Sequence, residues 1–283
     1  MNIGMVAELW RYPVKSFGGE QLDHGDIHNQ GLVADRCWAL QDKTSGDIVN
    51  GKHCPKILQL SARYSSGAHT GVVYGDQIAS ADIIFADSRV ISSRDDNIHR
   101  AISEFIGREV VLAALQPPED LEHYRLSEGA GAERASRPNL SENSSEIKHL
   151  LEQFSCPPGT YVDAYPLHML TRTALSELQR ESRGDADARR FRPNLIVESE
   201  GDTGAFPEFD WVGRGLQIGE ALLKVDSRTL RCAMPARSLP QFDLPDAPEV
   251  NSTLIKLSDR FLGVNLLVVK PGKVCVGDPV LLV

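Results

Sequence analysis

The chain lacks any run approaching the roughly 18–20 consecutive apolar residues that a membrane-spanning helix needs, so no membrane partner is expected. Its first residues, Met1-Asn2-Ile3-Gly4-Met5-Val6, have neither the basic start nor the apolar stretch of a secretory leader. Positive charge is short: 30 Lys and Arg stand against 39 Asp and Glu, a formal net charge of −9. Binding to nucleic acid without sequence preference rests on surplus cations that neutralise phosphates, so a nucleic-acid partner is not expected either. Cysteine is sparse and poorly spaced. The five cysteines, at 37, 54, 156, 232 and 275, form no C-x-x-C pair and no metal clamp, which argues against structural zinc and a built-in iron–sulfur cluster. At 283 residues the chain is long enough to bury a core without disulfide staples. A reducing cytoplasm with free thiols, most of them packed as small hydrophobes, is the expected setting. Missing too are a G-x-G-x-x-G after a strand, a G-x-x-x-x-G-K-[ST], a G-x-S-x-G and an H-E-x-x-H, and no two histidines share helical metal-ligand spacing.

What is present is an ordinary globular composition, 41% hydrophobic and 24% charged, of a length that makes one large domain or two modest ones. The first third reads as short strands with frequent turns: Val6–Tyr12 stopped by Pro13, Gln21–Ile27, Val33–Leu40, Ile57–Tyr64 and Gly71–Tyr74. Punctuation this dense predicts a barrel or sandwich rather than βαβ units. Asp95-Asp96-Asn97 offers a helix cap, Ile98, Ile102, Phe105 and Ile106 fall at helical spacing, and Gly107 suits the stop. From Gln116 to about Lys148, Pro117-Pro118 and a surplus of Glu and Ser mark an exposed connection with a solvated acidic face. Beyond it, helices are predicted over Ile147–Phe154, Arg172–Ser182 and from Pro248 or Glu249 to Arg260. Strands are predicted over Asn194–Glu198, Leu216–Val225 with a break at Gly219, Phe261–Val269 and Lys273–Val283. The fold class is mostly β with a few helices.

Three stretches could carry chemistry. In Leu230-Arg231-Cys232-Ala233-Met234-Pro235 a thiol stands beside a guanidinium at a strand end, a setting that favours thiolate, the form that ligates a soft metal. The plain alternative is a half-buried cysteine beside a chance arginine. In Arg189-Arg190-Phe191-Arg192-Pro193-Asn194 three arginines precede an apolar strand. Arg189 and Arg190 read as charges on a solvated loop. Pro193 fixes the backbone so that Arg192 and Asn194 either aim at a ligand, the arginine fork suiting phosphate, or share that solvated role. In Tyr12-Pro13-Val14-Lys15-Ser16 a proline turn exposes a lysine and a hydroxyl, and Gly31-Leu32-Val33-Ala34-Asp35-Arg36 supplies another arginine. Lys15, Arg36, Arg192 and Arg231 are either surface charges or four cations for one anionic ligand. His168 reads as a core or hydrogen-bonded histidine, Met169 and Met234 as core filler, and Cys37 and Cys275 as packed; Cys54 has His53 as a neighbour able to activate it.

Taken in order, these stretches resemble the MOSC superfamily, the molybdenum cofactor sulfurase C-terminal domain, preceded by its N-terminal β-barrel partner. The resemblance runs from Val6–Ser16 and Gly31–Arg36 through Pro166–Thr171 and Arg190–Asn194 to Arg231-Cys232 and Gly272–Val280. It implies an N-terminal MOSC-type β-barrel-like domain over 1–116, an exposed linker over 117–148 and a MOSC β-barrel domain over 149–283, the two domains packed together. It also implies a molybdenum–pterin cofactor with Cys232 as metal ligand. Lys15, Ser16, Arg36, Arg192, Asn194 and Arg231 would hold the pterin and its phosphate, with Thr171, Arg172 and Lys52 beside them. The amidoxime-reducing component family within this superfamily reduces N-hydroxylated compounds, so a small-molecule substrate of that kind or an N-oxide is implied. With no cysteine cluster appended, electrons would come from a separate ferredoxin or flavoprotein. No room is left for a pyridoxal-phosphate domain. The run Ala233-Met234-Pro235-Ala236-Arg237-Ser238 departs from the Thr-Thr-Val-Asp-Pro-like run of those reductases, and Leu230 stands where they carry a hydroxyl. A second reading uses the same thiol without metal, Cys232 carrying a persulfide for another enzyme.

Overall fold

The structure is a computed structural model that describes residues 1–65, 67–127, 145–183, 185–201 and 204–283. The chain divides into two compact units that interleave along the sequence. The first comprises Met1–Arg11, Glu20–Val33 and Tyr165–Val283; the second comprises Tyr12–Gly19 and Ala34–Ala164.

In the first unit seven strands close a barrel. Its order is Leu195–Ser199, Leu167–Thr171, Phe261–Lys270, Ala221–Leu230, Gly215–Ile218, Pro279–Leu282 and Asn2–Arg11, which returns to pair with Leu195–Ser199. Leu167–Thr171 and Leu195–Ser199 run parallel, and the helix Arg172–Ser182 lies between them in sequence, as a parallel pair requires a crossover. The other barrel pairs are antiparallel. A register shift between Val6 and Glu8 lets Val6 and Leu9, three apart, both turn inward. They join Leu167, Met169, Leu195, Val197, Leu216, Leu223, Val264, Leu266 and Val280 in the barrel core. Gly219, with φ +53°, makes the tight turn between Ile218 and Ala221, which is the break expected from its position. A second core lies under two helices, Arg172–Ser182 and Pro248–Ser258, where Leu178, Val250 and Leu254 pack with Leu170, Phe191 and Leu262.

The second unit holds two three-stranded sheets. Trp38–Asp42 lies between Val110–Ala114 and Ile48–Val49, and Asp82–Ile84 lies between Ser61–Arg63 and Val90–Ser92. Its helix Ile98–Ile106 buries Ile98, Ile102 and Ile106, the predicted spacing, and stops at Gly107 in a left-handed conformation. Asn97 caps it without a side-chain bond to the helix backbone; its backbone N–H donates to Asp95 Oδ1 at 2.8 Å and its Oδ1 accepts from Arg100 at 2.8 Å.

Several expectations need correction. Val33–Leu40 is not one strand: left-handed Ala34 and Arg36 break the chain before Trp38. Pro55 starts a short 3₁₀ helix, Pro55–Gln59, where a strand was predicted, and Gly71–Tyr74 is not extended into any sheet. Asn2–Arg11 hydrogen-bonds with strands at 195–199 and 279–282, so the first compact unit draws on segments far apart in the chain. Of the linker expected over 117–148, residues 128–144 lie outside the described residues. The described part includes a helical turn, Leu121–Tyr124, that carries the fully buried Tyr124, whose hydroxyl donates to the Gln116 carbonyl. Among the described residues no helix is long and apolar enough to cross a membrane.

Candidate functional site

Cys232 lies just past the end of the barrel strand Ala221–Leu230, on a segment that turns into the 3₁₀ helix Met234–Ala236. Its thiol is partly exposed, whereas Cys37, Cys54 and Cys156 are buried. The Met234 N–H faces its Sγ at 3.5 Å and aims the sulfur. The guanidinium of Arg231 is engaged elsewhere. It donates to the Phe191 carbonyl at 2.7 Å, meets His168 Nε2 at 3.2 Å, and lies 5.2 Å from the centre of the Phe191 ring. Because arginine only donates, His168 Nε2 is the acceptor, as a hydrogen-bonded histidine requires.

Arg192 follows Phe191 with φ +55°, a left-handed conformation that costs an ordinary residue of order 1 kcal/mol and that persists only where neighbours over-determine it. Both flanks are held. Arg231 grips the Phe191 carbonyl on one side. On the other, buried Asn194 exchanges backbone bonds with His168 and Trp10, while its amide side chain accepts from the His168 N–H at 3.3 Å and donates to the Trp10 carbonyl at 3.2 Å. Asn194 is thus a brace between strands and serves the site by fixing Arg192. Thr171 has a similar structural place. It is fully buried, caps the helix Arg172–Ser182 by accepting from the Ala174 N–H at 3.1 Å, and donates to Glu208 Oε2 at 2.7 Å. Arg172 lies on the surface between Glu8 and Glu198, at 3.1 and 3.4 Å.

Glu208 escaped the sequence reading. It is fully buried, its Oε1 has no hydrogen-bond partner, and burial raises its pKa to about 7 against the smaller pull of the Thr171 hydroxyl. The available signal was a lone acid within Phe206-Pro207-Glu208-Phe209.

Lys15, Ser16, Arg36 and Lys52 belong to the second unit. Lys15 is buried, and its Nζ donates to Asp163 Oδ1 at 2.6 Å and to the Tyr161 carbonyl at 2.9 Å. Asp163 turns outward, its side chain 77% exposed against 5% for Lys15. Lys15 first, then Lys52 and Arg36, hold the Asp163 carboxyl well below the usual carboxylate range. Three of the four expected residues thus collect around one carboxylate, and Asp163 is the member the sequence did not signal. Arg36 itself pairs with Asp35 and lies 5.0 Å from the centre of the Tyr12 ring. Ser16 is buried and accepts from the Gly51 N–H at 3.1 Å. Ser16 and Arg36, like Arg192, are left-handed without being glycine, with φ of 68° and 50°. Among the described residues no cluster of three His, Cys, Asp or Glu could hold a metal by itself, so any metal here would rely on one thiolate and an organic ligand.

A family model described as MOSC domain matches residues 158–281, and one described as MOSC N-terminal beta barrel domain matches residues 3–98. The chain is similar to mitochondrial amidoxime reducing component 2 of Bos taurus, 25% identical over 309 residues that cover 99% of this chain and 83% of that protein. It is 24% identical over 298 residues, with the same coverage, to mitochondrial amidoxime-reducing component 1 of Mus musculus. A molybdenum cofactor sulfurase of Oryza sativa is 26% identical over 247 residues, 79% of this chain and 27% of that longer protein.

Proposed function

Starting from a chain that belongs to the MOSC-domain family and also carries the MOSC N-terminal β-barrel domain, we propose that it is a molybdenum–pterin-dependent oxidoreductase that reduces N-hydroxylated or N-oxide compounds. The names of its relatives, amidoxime-reducing components and a molybdenum cofactor sulfurase, support this reading. The observation that carries it is the seat of Cys232, a partly accessible thiol beyond a barrel strand, with a backbone N–H directed at its sulfur.

The residues fit the group. Cys232 would supply an anionic thiolate ligand to the metal. Arg192, pre-set in its left-handed conformation, would offer charge-assisted bonds to an anionic substituent of the pterin. When bound, the cofactor supplies the two-electron chemistry that cleaves an N–O bond; the protein binds it, orients it and leaves the substrate an approach. Lys15, Arg36 and Lys52 are read as a site for phosphate or another oxyanion, a role that Asp163 fills internally in the free chain. A separate ferredoxin or flavoprotein in the cytoplasm completes the scheme. The persulfide-carrier reading uses the same thiol, and composition separates the two: molybdenum and pterin on the purified chain support the first, sulfane sulfur on Cys232 without metal the second.

Arg192→Ala is expected to cost about 1.5–3 kcal/mol of cofactor affinity, the worth of a hydrogen bond to a charged group, while the melting temperature barely changes. Titration of the metal-free chain with isolated cofactor, beside a thermal melt, checks this. Parallel losses of affinity and melting temperature would mark Arg192 as structural instead.

A further inference from the structure

The segment before Arg192 holds a second arginine that the sequence reading assigned to solvent. Arg190 is only 4% exposed, and among the described residues no carboxylate lies within ion-pair distance of it. Its Nη1 donates to the Arg237 carbonyl at 2.8 Å and reaches the Pro235 carbonyl at 3.4 Å, while Nη2 donates to the Pro245 carbonyl at 2.7 Å. A guanidinium buried among neutral carbonyls is costly, and burial lowers its pKa. The fork reaches these acceptors from two separate nitrogens in one plane, a geometry that a single ammonium nitrogen does not reproduce.

The carbonyls it holds lie on the stretch that follows Cys232. That stretch contains little regular structure: two 3₁₀ turns, Met234–Ala236 and Pro240–Phe242, and one bridge between Leu239 and Leu244. Its backbone hydrogen bonds, among them the Ala247 N–H to the Ala236 carbonyl at 2.8 Å, run within the stretch itself and do not reach the 188–192 segment. The grip is reciprocal. Arg190 reaches from the 188–192 segment into the post-cysteine loop, and Arg231, beside Cys232, reaches back to the carbonyl of Phe191. Phe191 lies between Arg190 and Arg192 in sequence, so the two guanidinium groups tie the cysteine segment to the arginine that stands in the left-handed conformation.

We propose that Arg190 is a positioning residue for the Cys232 site, its buried fork fixing the post-cysteine loop so that the thiol is presented in one geometry before any ligand binds. The chemistry assigned to Cys232 rests on the functional reading above; the positioning does not.

The test is site-resolved alkylation of the metal-free chain with a maleimide, read by peptide mass spectrometry. Wild type, Arg190→Gln, Arg190→Lys and the surface control Arg180→Ala are compared, Arg180 pairing with Glu177 and Glu181 on an exposed helix face. Loss of the fork is expected to speed labelling of Cys232 by about fivefold or more in both Arg190 variants, the local opening that one lost charge-assisted bond allows. Cys37, Cys54, Cys156 and Cys275 serve as internal references and keep their wild-type rates, and Arg180→Ala leaves all five unchanged. An unchanged Cys232 rate in either variant, or a rise shared by all five thiols, overturns the proposal. If the glutamine variant does not fold, the lysine variant, which retains the charge, decides alone. Because no cofactor enters the measurement, a chain that never binds molybdenum would still give the selective increase, so failure of one idea is distinct from failure of the other.

Discussion

Cys232→Ser purified from a cell that makes the cofactor is expected to contain no molybdenum and to reduce no N-hydroxylated substrate, while melting within about 2 °C of the wild type. The side chain is partly exposed and packs in neither hydrophobic core, so exchanging sulfur for oxygen removes little folding energy. The hydroxyl can still accept from the Met234 N–H. What it cannot supply is a soft thiolate. Losing an outer partner of a metal ligand already costs roughly 10–100-fold in affinity or activity, and losing the ligand should exceed that. Metal analysis, pterin fluorescence and turnover of an amidoxime, a hydroxylamine and an N-oxide with an artificial electron donor form the measurement. A serine variant that retains metal and turnover would remove Cys232 from the reaction. Loss of sulfane sulfur, in a wild type that never held metal, would support the carrier reading.

The second large effect is on stability and depends on pH. Glu208 titrates at about 7 in the folded chain against an ordinary value of 4.5, since burial penalises its charged form. A carboxyl whose folded pKa is raised holds its proton more tightly in the native state. Its contribution is complete below about pH 4.5 and declines as pH rises through 7, where the buried group must ionise. The gap between those two values corresponds to roughly 3 kcal/mol. Glu208→Gln keeps the shape and a partner for Thr171 without the charge. Urea unfolding at pH 8 should therefore show the glutamine variant more stable, relative to wild type, by up to ~3 kcal/mol than the same comparison at pH 5. A difference that is the same at both values of pH would show that Glu208 does not ionise in this window. Thr171 caps the helix Arg172–Ser182, so ionisation of Glu208 bears on the start of that helix through one hydroxyl.

Legibility in the sequence followed locality. The helices at 98–106 and 172–182 could be read from apolar spacing and end residues, because those signals act within one or two turns. The break at Gly219 was visible because a two-residue turn demands a left-handed residue. Positive φ at Ala34 and Arg36 was not visible. Neither residue favours it, and surrounding bonds impose it, among them the Tyr12 carbonyl that accepts from the Arg36 N–H at 2.7 Å. Cys232 and Arg192 stood out as chemical types in exposed-looking segments. Arg190 looked identical to Arg189 in sequence, yet Arg189 pairs with Asp187 two residues away while Arg190 reaches carbonyls about 45–55 positions on. Asp163 and Glu208 were hidden for the same reason, their meaning coming from partners distant in the chain.

The closure of the barrel by Asn2–Arg11 has a consequence for how the polypeptide is made. This strand is synthesised well before its two barrel neighbours, Leu195–Ser199 and Pro279–Leu282. Until then it is paired only where Leu9–Arg11 meets Glu20–Leu22, while the residues between 34 and 164 have already emerged and can gather their own sheets. Pairing of such long sequence separation is slow to form and leaves this strand exposed to wrong partners while it waits.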